Sequence, residues 1–197
     1  MNRRKTVLAD IGLLYSAAIW GATFYMVKGV LTHITPLGLL GYRFMLAALL
    51  LLPVMILQKR RPLAGLRHGL SLGFFLWLIY VPQTIGLQYT TATNSGFITG
   101  LFIVFVPIFG LLFFRKLPSV IKLISIVIAV AGLWVLTGGI HGMNRGDALT
   151  LLAAMGYAVH ILLADRSMKG GLDPVSLSFQ QFLFVGLFSF IAGWVSG

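Results

Sequence analysis

Cysteine and glutamate are both absent from the 197 residues. Without cysteine there is no disulfide framework, no thiolate metal site and no thiol nucleophile. Without glutamate the acidic complement is four aspartates, Asp10, Asp147, Asp165 and Asp173, all at or near the ends of apolar runs. No carboxylate falls in the middle of a run, which counts against cation exchange on a membrane-buried acid. Charge as a whole is scarce: 10% of residues, where ordinary soluble domains carry roughly 25%. Catalytic signatures are missing too. The sequence contains no His-Glu-x-x-His, no Gly-x-Ser-x-Gly and no Gly-x-x-x-x-Gly-Lys-Ser/Thr. His33, His68, His141 and His160 fall in different runs or connections without ligand spacing, so no metal and no cofactor is expected.

Apolar residues fill the space that charge leaves. Hydrophobic residues make up 58% of the chain and the mean hydropathy is +0.96. A span of about 20 apolar residues crosses a ~30 Å hydrocarbon layer, and seven such runs follow one another: 11–31, 36–57, 69–88, 94–114, 120–136, 147–163 and 174–195. Residues 2–5 followed by an apolar run resemble a signal peptide, but 11–31 is too long for its core and reads as a retained first span. Because unpaired backbone groups are so costly in hydrocarbon, and no stretch alternates as barrel strands do, every span should be a helix. The expected fold is all-α, a polytopic transmembrane helical bundle whose main partner is the lipid bilayer.

The net charge of +11 raises nucleic acid as a partner, but the basic residues are scattered between apolar runs rather than gathered on one face, so none is expected. They carry topology instead. Arg3, Arg4 and Lys5 precede span 1, Lys59, Arg60, Arg61 and Arg67 lie between spans 2 and 3, Arg115, Lys116 and Lys122 between 4 and 5, and Arg166 and Lys169 between 6 and 7. The alternate connections hold only Lys28 and Arg145, with Arg43 inside span 2. The bias places the N-terminus in the cytoplasm of a multi-pass protein of the cytoplasmic membrane, and Gly197 outside.

The chain also repeats itself. A shift of 137 pairs Asp10 with Asp147, Ala17 with Ala154, Trp20 with Tyr157 and Gly21 with Ala158; a shift of 138 pairs Pro36 with Pro174, Arg43 with Gln181 and Phe44 with Phe182. Thr35-Pro36 and Asp173-Pro174 each give an N-cap followed by proline at the first helical position, so spans 2 and 7 should start alike. A unit of five spans is odd, and its second copy must enter the membrane from the other side, giving inverted repeats. Residues 1–140 would form the first five-helix repeat and 141–197 the first two helices of an incomplete second. By that logic the whole molecule needs about three more spans, roughly 100 residues. The chain is then expected to lack its C-terminal half or to complete itself by pairing as a homodimer.

Several short motifs stand in this frame: Trp20-Gly21-Ala22-Thr23-Phe24 in span 1, Tyr42-Arg43-Phe44 in span 2, Gly86-Leu87-Gln88-Tyr89-Thr90-Thr91-Ala92 at the end of span 3, and Pro107 in span 4. In order and spacing the set resembles the drug/metabolite transporter superfamily, EamA type, over nearly the whole chain. The resemblance implies a ten-helix bundle of two inverted halves around a central cavity that carries amino acids, other metabolites or drugs. This sequence departs from that pattern by having only about seven spans. The expected function is secondary transport of a small-molecule substrate, in the export direction and by alternating access, rather than enzymatic; a channel or structural subunit is the competing class.

Candidate cavity residues follow from polarity inside spans. Arg43 costs about 2.5 to 3.5 kcal/mol to insert and sits about 10 Å deep at 1.5 Å per residue. It either attracts an anionic substrate group or snorkels to the interface and bonds carbonyls. Trp77, Tyr80, Gln83, Thr84 and Gln88 recur at spacings of three and four in span 3 and form either a cavity wall or interhelical hydrogen bonds. Trp20 with Phe24, and Tyr157 with His160, hold related places in the two repeats; each is a cavity-lining candidate with packing as the alternative. Gln180 and Gln181 open span 7, the latter matching Arg43. Asn94 is expected to cap span 4, and Pro82 and Pro107 each to remove a backbone hydrogen bond and kink their helices.

Overall fold

Apolar runs of this length can satisfy their backbone only internally, and among the described residues every regular element is a helix. The computed structural model describes residues 3–115, 117–137 and 143–196. Lys116, His141 and Gly197 lie outside them. In chain order the helices are α1 (Arg3–Val30), α2 (Pro36–Leu57), α3 (Leu66–Tyr89), α4 (Ala92–Gly100), α5 (Phe102–Phe114), α6 (Val120–Thr137), α7 (Arg145–Lys169) and α8 (Pro174–Ser196). Six stretches are long and apolar enough to cross a membrane, with Ala92–Phe114 counted as one; in α6 the apolar stretch is the shorter Val120–Gly132.

The starts of α2 and α8 are built alike, as the local sequence requires. Thr35 accepts from the amide of Gly38 at 3.2 Å, and Asp173 accepts from the amide of Ser176 at 3.0 Å, each ahead of a proline whose missing N–H is not needed there. The expected cap at Asn94 is corrected. Helix α4 begins at Ala92 and its cap is Thr91, whose hydroxyl oxygen accepts from the amide of Asn94 at 3.0 Å; Asn94 already lies in the first turn, where its own amide is the group that needs a partner. Span 4 is divided between α4 and α5. This interruption falls at Leu101, where the ladder tightens to Leu101 N–H to Ile98 O at 3.1 Å and Val104 N–H to Leu101 O at 2.9 Å, a place the sequence does not mark, while Pro107 and Pro82 lie inside the continuous helices α5 and α3.

Helix α3 is the centre of the bundle and packs on both α7 and α8. Helices α2 and α8 cross antiparallel: Leu37 meets Gly193, Gly41 meets Phe190 and Met45 meets Gly186 as one chain ascends and the other descends. The crossing is close because glycine allows it; a Cβ on Gly186 would lie 2.9 Å from the Met45 amide nitrogen. Helices α3 and α7 are antiparallel too, Ile79 lying against Gly156 and the Gly86 carbonyl against Gly146. Leu40, Phe44, Leu76 and Val185 form the core between α2, α3 and α8.

The two ends of the bundle differ in how they are fastened. At the end rich in Lys and Arg, the 58–65 connection is tied to α8: Arg60 pairs with Asp173, and the Gln180 amide donates to the carbonyls of Pro62 and Ala64 at 2.7 and 2.9 Å. At the other end Thr90 joins three helices. Its hydroxyl donates to Asp147, a fully buried carboxylate in the first turn of α7, while its carbonyl accepts from the ammonium of Lys28, which also donates to Leu87 O at 3.0 Å. Asp147 in turn accepts from the amide of Asn144 at 3.0 Å, and Asn144 accepts from Asp147 N–H at 3.0 Å, closing a capping box. The Arg145 guanidinium lies 3.6 Å from the centre of the Tyr89 ring.

Candidate functional site

Polar groups inside a membrane bundle collect where helices leave a gap, because facing lipid is costlier. Two hollows meet at Tyr80 of α3. The smaller, about 20 Å³, is lined by Trp20, Thr23, Phe24, Arg43, Gln83 and Thr84 from α1, α2 and α3, room for about one water molecule. The larger, about 300 Å³, lies between α2, α3, α7 and α8, with Phe44, His160, Gln181 and Phe182 around it and Met168 and Pro174 at its basic-end rim. That volume is at the lower bound for a small-molecule pocket.

Aromatic rings make the wall between them. Tyr80 contacts Phe44 edge-on at 4.8 Å and Tyr157 at 5.9 Å. Trp20 meets Tyr157, its counterpart in the 137-residue shift, at 6.0 Å, and Phe44 meets its counterpart Phe182 at 5.8 Å. These residues, paired by the sequence shift, therefore face each other at the centre of the bundle. Phe102 of α5 completes the cluster at 6.0 Å from Trp20 and 6.1 Å from Tyr157; nothing in the sequence distinguishes it from the other phenylalanines of that span.

Arg43 lines the smaller hollow with its guanidinium carbon 5.7 Å from the Tyr80 ring and 5.9 Å from Phe44. Among the described residues it has no ion-pair or hydrogen-bond partner, so its five donors are available to whatever enters. Gln83 is engaged on both sides: its amide donates to the Thr99 hydroxyl at 2.8 Å, and its carbonyl accepts from the Tyr157 hydroxyl at 3.4 Å. In the larger hollow His160 Nε2 lies 2.7 Å from Gln181 Oε1, and the Gln181 amide donates to Leu177 O at 3.2 Å.

Of the twelve residues singled out in the sequence, Trp20, Phe24, Arg43, Tyr80, Gln83, Thr84, His160 and Gln181 line one or other hollow, and Tyr157 stands in the wall between them. Trp77 is set apart. Its ring contacts Phe188 of α8 at 6.2 Å, and its buried indole N–H has no partner among the described residues. Gln88 is exposed at the last turn of α3. Gln180 is committed to the 58–65 connection. The junction of Lys28, Thr90 and Asp147 closes the end opposite the rim of the larger hollow; the sequence marks its two charges only as lying near span ends.

Comparison with known proteins gives a consistent answer. An uncharacterized transporter of Archaeoglobus fulgidus is 34% identical over 179 residues, 90% of this chain and 55% of its own length. The uncharacterized inner membrane transporter YedA of Escherichia coli is 24% identical over 99% of this chain and 65% of its own. The uncharacterized transporter YetK of Bacillus subtilis is 26% identical over 95% of this chain and 59% of its own. The chain thus spans little more than half the length of relatives such as the first. No solved structure matches it. The EamA-like transporter family profile matches residues 7–138, two thirds of the sequence and all of the first five spans; the chain belongs to the EamA-like transporter family.

Proposed function

We propose that this chain belongs to a secondary carrier that exports a small metabolite or drug, such as an amino acid or a related compound, across the cytoplasmic membrane by alternating access. The observation that carries the reading is the unpartnered Arg43 guanidinium beside Tyr80, at the meeting of two hollows that lie where the two sequence repeats face each other. A cation held against aromatic rings suits a ligand with a carboxylate and an apolar body. The antiparallel crossing of α2 and α8, with matching caps, supports inverted repeats, 1–140 complete and 141–197 begun. The positive-inside bias makes the basic end cytoplasmic. The larger hollow then opens inward while Thr90, Asp147 and Lys28 hold the outer end shut, an inward-facing state. The sequence contains no Gly-x-x-x-x-Gly-Lys-Ser/Thr motif, and in this reading an ion gradient, the proton gradient first, is the driving force.

The test is uptake and counterflow in liposomes containing the purified chain, with a panel of labelled amino acids and toxic analogues. Saturable uptake with trans-stimulation is expected, with Arg43→Gln lowering kcat/KM at least tenfold for anionic substrates and Tyr80→Ala for all of them. Flux that rises linearly with concentration indicates a pore instead. No flux from the chain, but flux from it co-expressed with the C-terminal third of a longer relative, places activity in the assembled carrier.

A further inference from the structure

Beside the larger hollow, on the other flank of the α3–α7 contact from His160, a third cavity of about 540 Å³ opens at the basic end. Leu72, almost fully buried, stands between the two cavities and lines both. The residues that matter here are His68 and Ser71 of α3, and Leu163, Arg166 and Ser167 of α7. The Ser167 hydroxyl is engaged by the Leu163 carbonyl at 2.9 Å. Asp165, the acid beside Arg166 in sequence, pairs with Lys169 at 2.6 Å. His68 and Arg166 have no side-chain partner among the described residues, so two exposed donors converge on one groove with nothing of opposite charge in its lining.

Ser71 of this groove also belongs to an exposed stripe on the outside of α3. Arg67, Ser71, Phe74 and Leu78 stand at i, i+4, i+7 and i+11, one stripe of an α-helix, and all four are exposed. Polarity falls along the stripe, from a cation at the basic end to two large apolar side chains deeper in the span. That gradient matches a phospholipid lying along a helix, headgroup at the interface and acyl chain in hydrocarbon. A soluble anion would match only the first turn and would leave Phe74 and Leu78 unused.

We propose that this groove is a binding site for an anionic phospholipid, its phosphate held between His68 and Arg166, with the Ser71 hydroxyl available as a further donor, and one acyl chain along Phe74 and Leu78. It is separate from the transport cavity and does not depend on what is carried.

The experiment is native mass spectrometry and equilibrium binding of the full chain in mixed nanodiscs, with phosphatidylglycerol in a phosphatidylcholine background. Saturable retention of phosphatidylglycerol over phosphatidylcholine is expected. Arg166→Gln and His68→Gln each weaken it about fivefold, the equivalent of ~1 kcal/mol for one headgroup contact. Arg166→Lys keeps most of the binding, and Arg61→Gln, a cation outside the groove, leaves it unchanged. Competition by millimolar inorganic phosphate or glycerol 3-phosphate as effective as the lipid itself would overturn the lipid assignment in favour of a free anion. Equal loss with Arg61→Gln, or no preference for phosphatidylglycerol, overturns the site altogether; helicity and elution volume of each variant identify any loss that comes from misfolding, and Arg166→Lys then decides.

Discussion

The hydroxyl of Thr90 donates to the carboxylate of Asp147, joining the last residue before the α3–α4 turn to the first turn of α7. Both groups are buried, so removing one leaves the other unsatisfied at a cost of about 1–3 kcal/mol. Thr90→Val is expected to lower thermal stability in detergent by that amount, while Thr90→Ser retains most of it. Equal melting of Val and Ser variants would show that the methyl group rather than the hydroxyl matters.

The same junction limits what can replace Gly146. A Cβ there would meet the Gly86 carbonyl and come within 2.9 Å of the Thr90 amide. Gly146→Ala is therefore expected to destabilise by about 1–3 kcal/mol. Gly12→Ala, at a helical position with nothing within 4 Å, should stabilise by up to about 1 kcal/mol through helix propensity. Thermal melts of the pair give the ordering, and the reverse order would refute the packing described.

Gln83 holds Thr99 of α4 and Tyr157 of α7 at once. Gln83→Leu should cost roughly 1–2 kcal/mol, in the range for hydrogen bonds between membrane helices. Tyr157→Phe made on top of it should cost less than Tyr157→Phe alone, a coupling of at least about 0.5 kcal/mol in a double-mutant cycle. Strict additivity would mean the 3.4 Å contact is idle.

Asp173 gives the acid limb. Desolvation pushes its carboxyl up, but the Ser176 hydroxyl and amide and the Arg60 guanidinium outweigh that and hold it below the usual carboxylate range. A lowered pKa means the stabilisation is fully present above the unfolded value of ~3.9 and is lost as pH falls through the folded value. Asp173→Asn should flatten the decline in melting temperature between pH 5 and 3 and leave the slope above pH 6 unaltered. A decline as steep as that of the wild type assigns it to the other aspartates.

What could be read from the sequence was whatever local chemistry or period determines. Thr35-Pro36 and Asp173-Pro174 announce their caps because the donor lies three residues away. All seven apolar runs are legible in composition and fall on helices, the fourth divided between α4 and α5 and the fifth, α6, carrying the shorter apolar stretch, since hydrocarbon leaves these runs no alternative to a helix. The stripe on α3 was legible only in part. Trp77 and Gln83 both fit a spacing of three and four, yet six residues turn a helix by about 240°, so one faces α8 and the other the hollow. Contacts between remote segments left no trace in the pattern: Phe102 is one of 15 phenylalanines, and the meeting of Lys28, Thr90 and Asp147 depends on three helix ends that only the fold brings together.

Helix α1 is fastened along one half of its length. Phe24 and Leu31 are buried, Lys28 is tied to Leu87 and Thr90, and the Tyr25 hydroxyl reaches Thr93 at 2.9 Å, whereas Val7, Leu8, Ile11, Leu13, Leu14 and Tyr15 are all at least half exposed. Such an element has the shape of a lever with its fulcrum at the end where Lys28 meets Leu87 and Thr90. A tilt of a few degrees would sweep the arm around Val7 through the largest arc and shift Trp20, close to the pivot, by far less. The indole that walls the smaller hollow thus sits where leverage is greatest, and a wide swing of the far arm would become a small displacement against Tyr157, its neighbour at 6.0 Å.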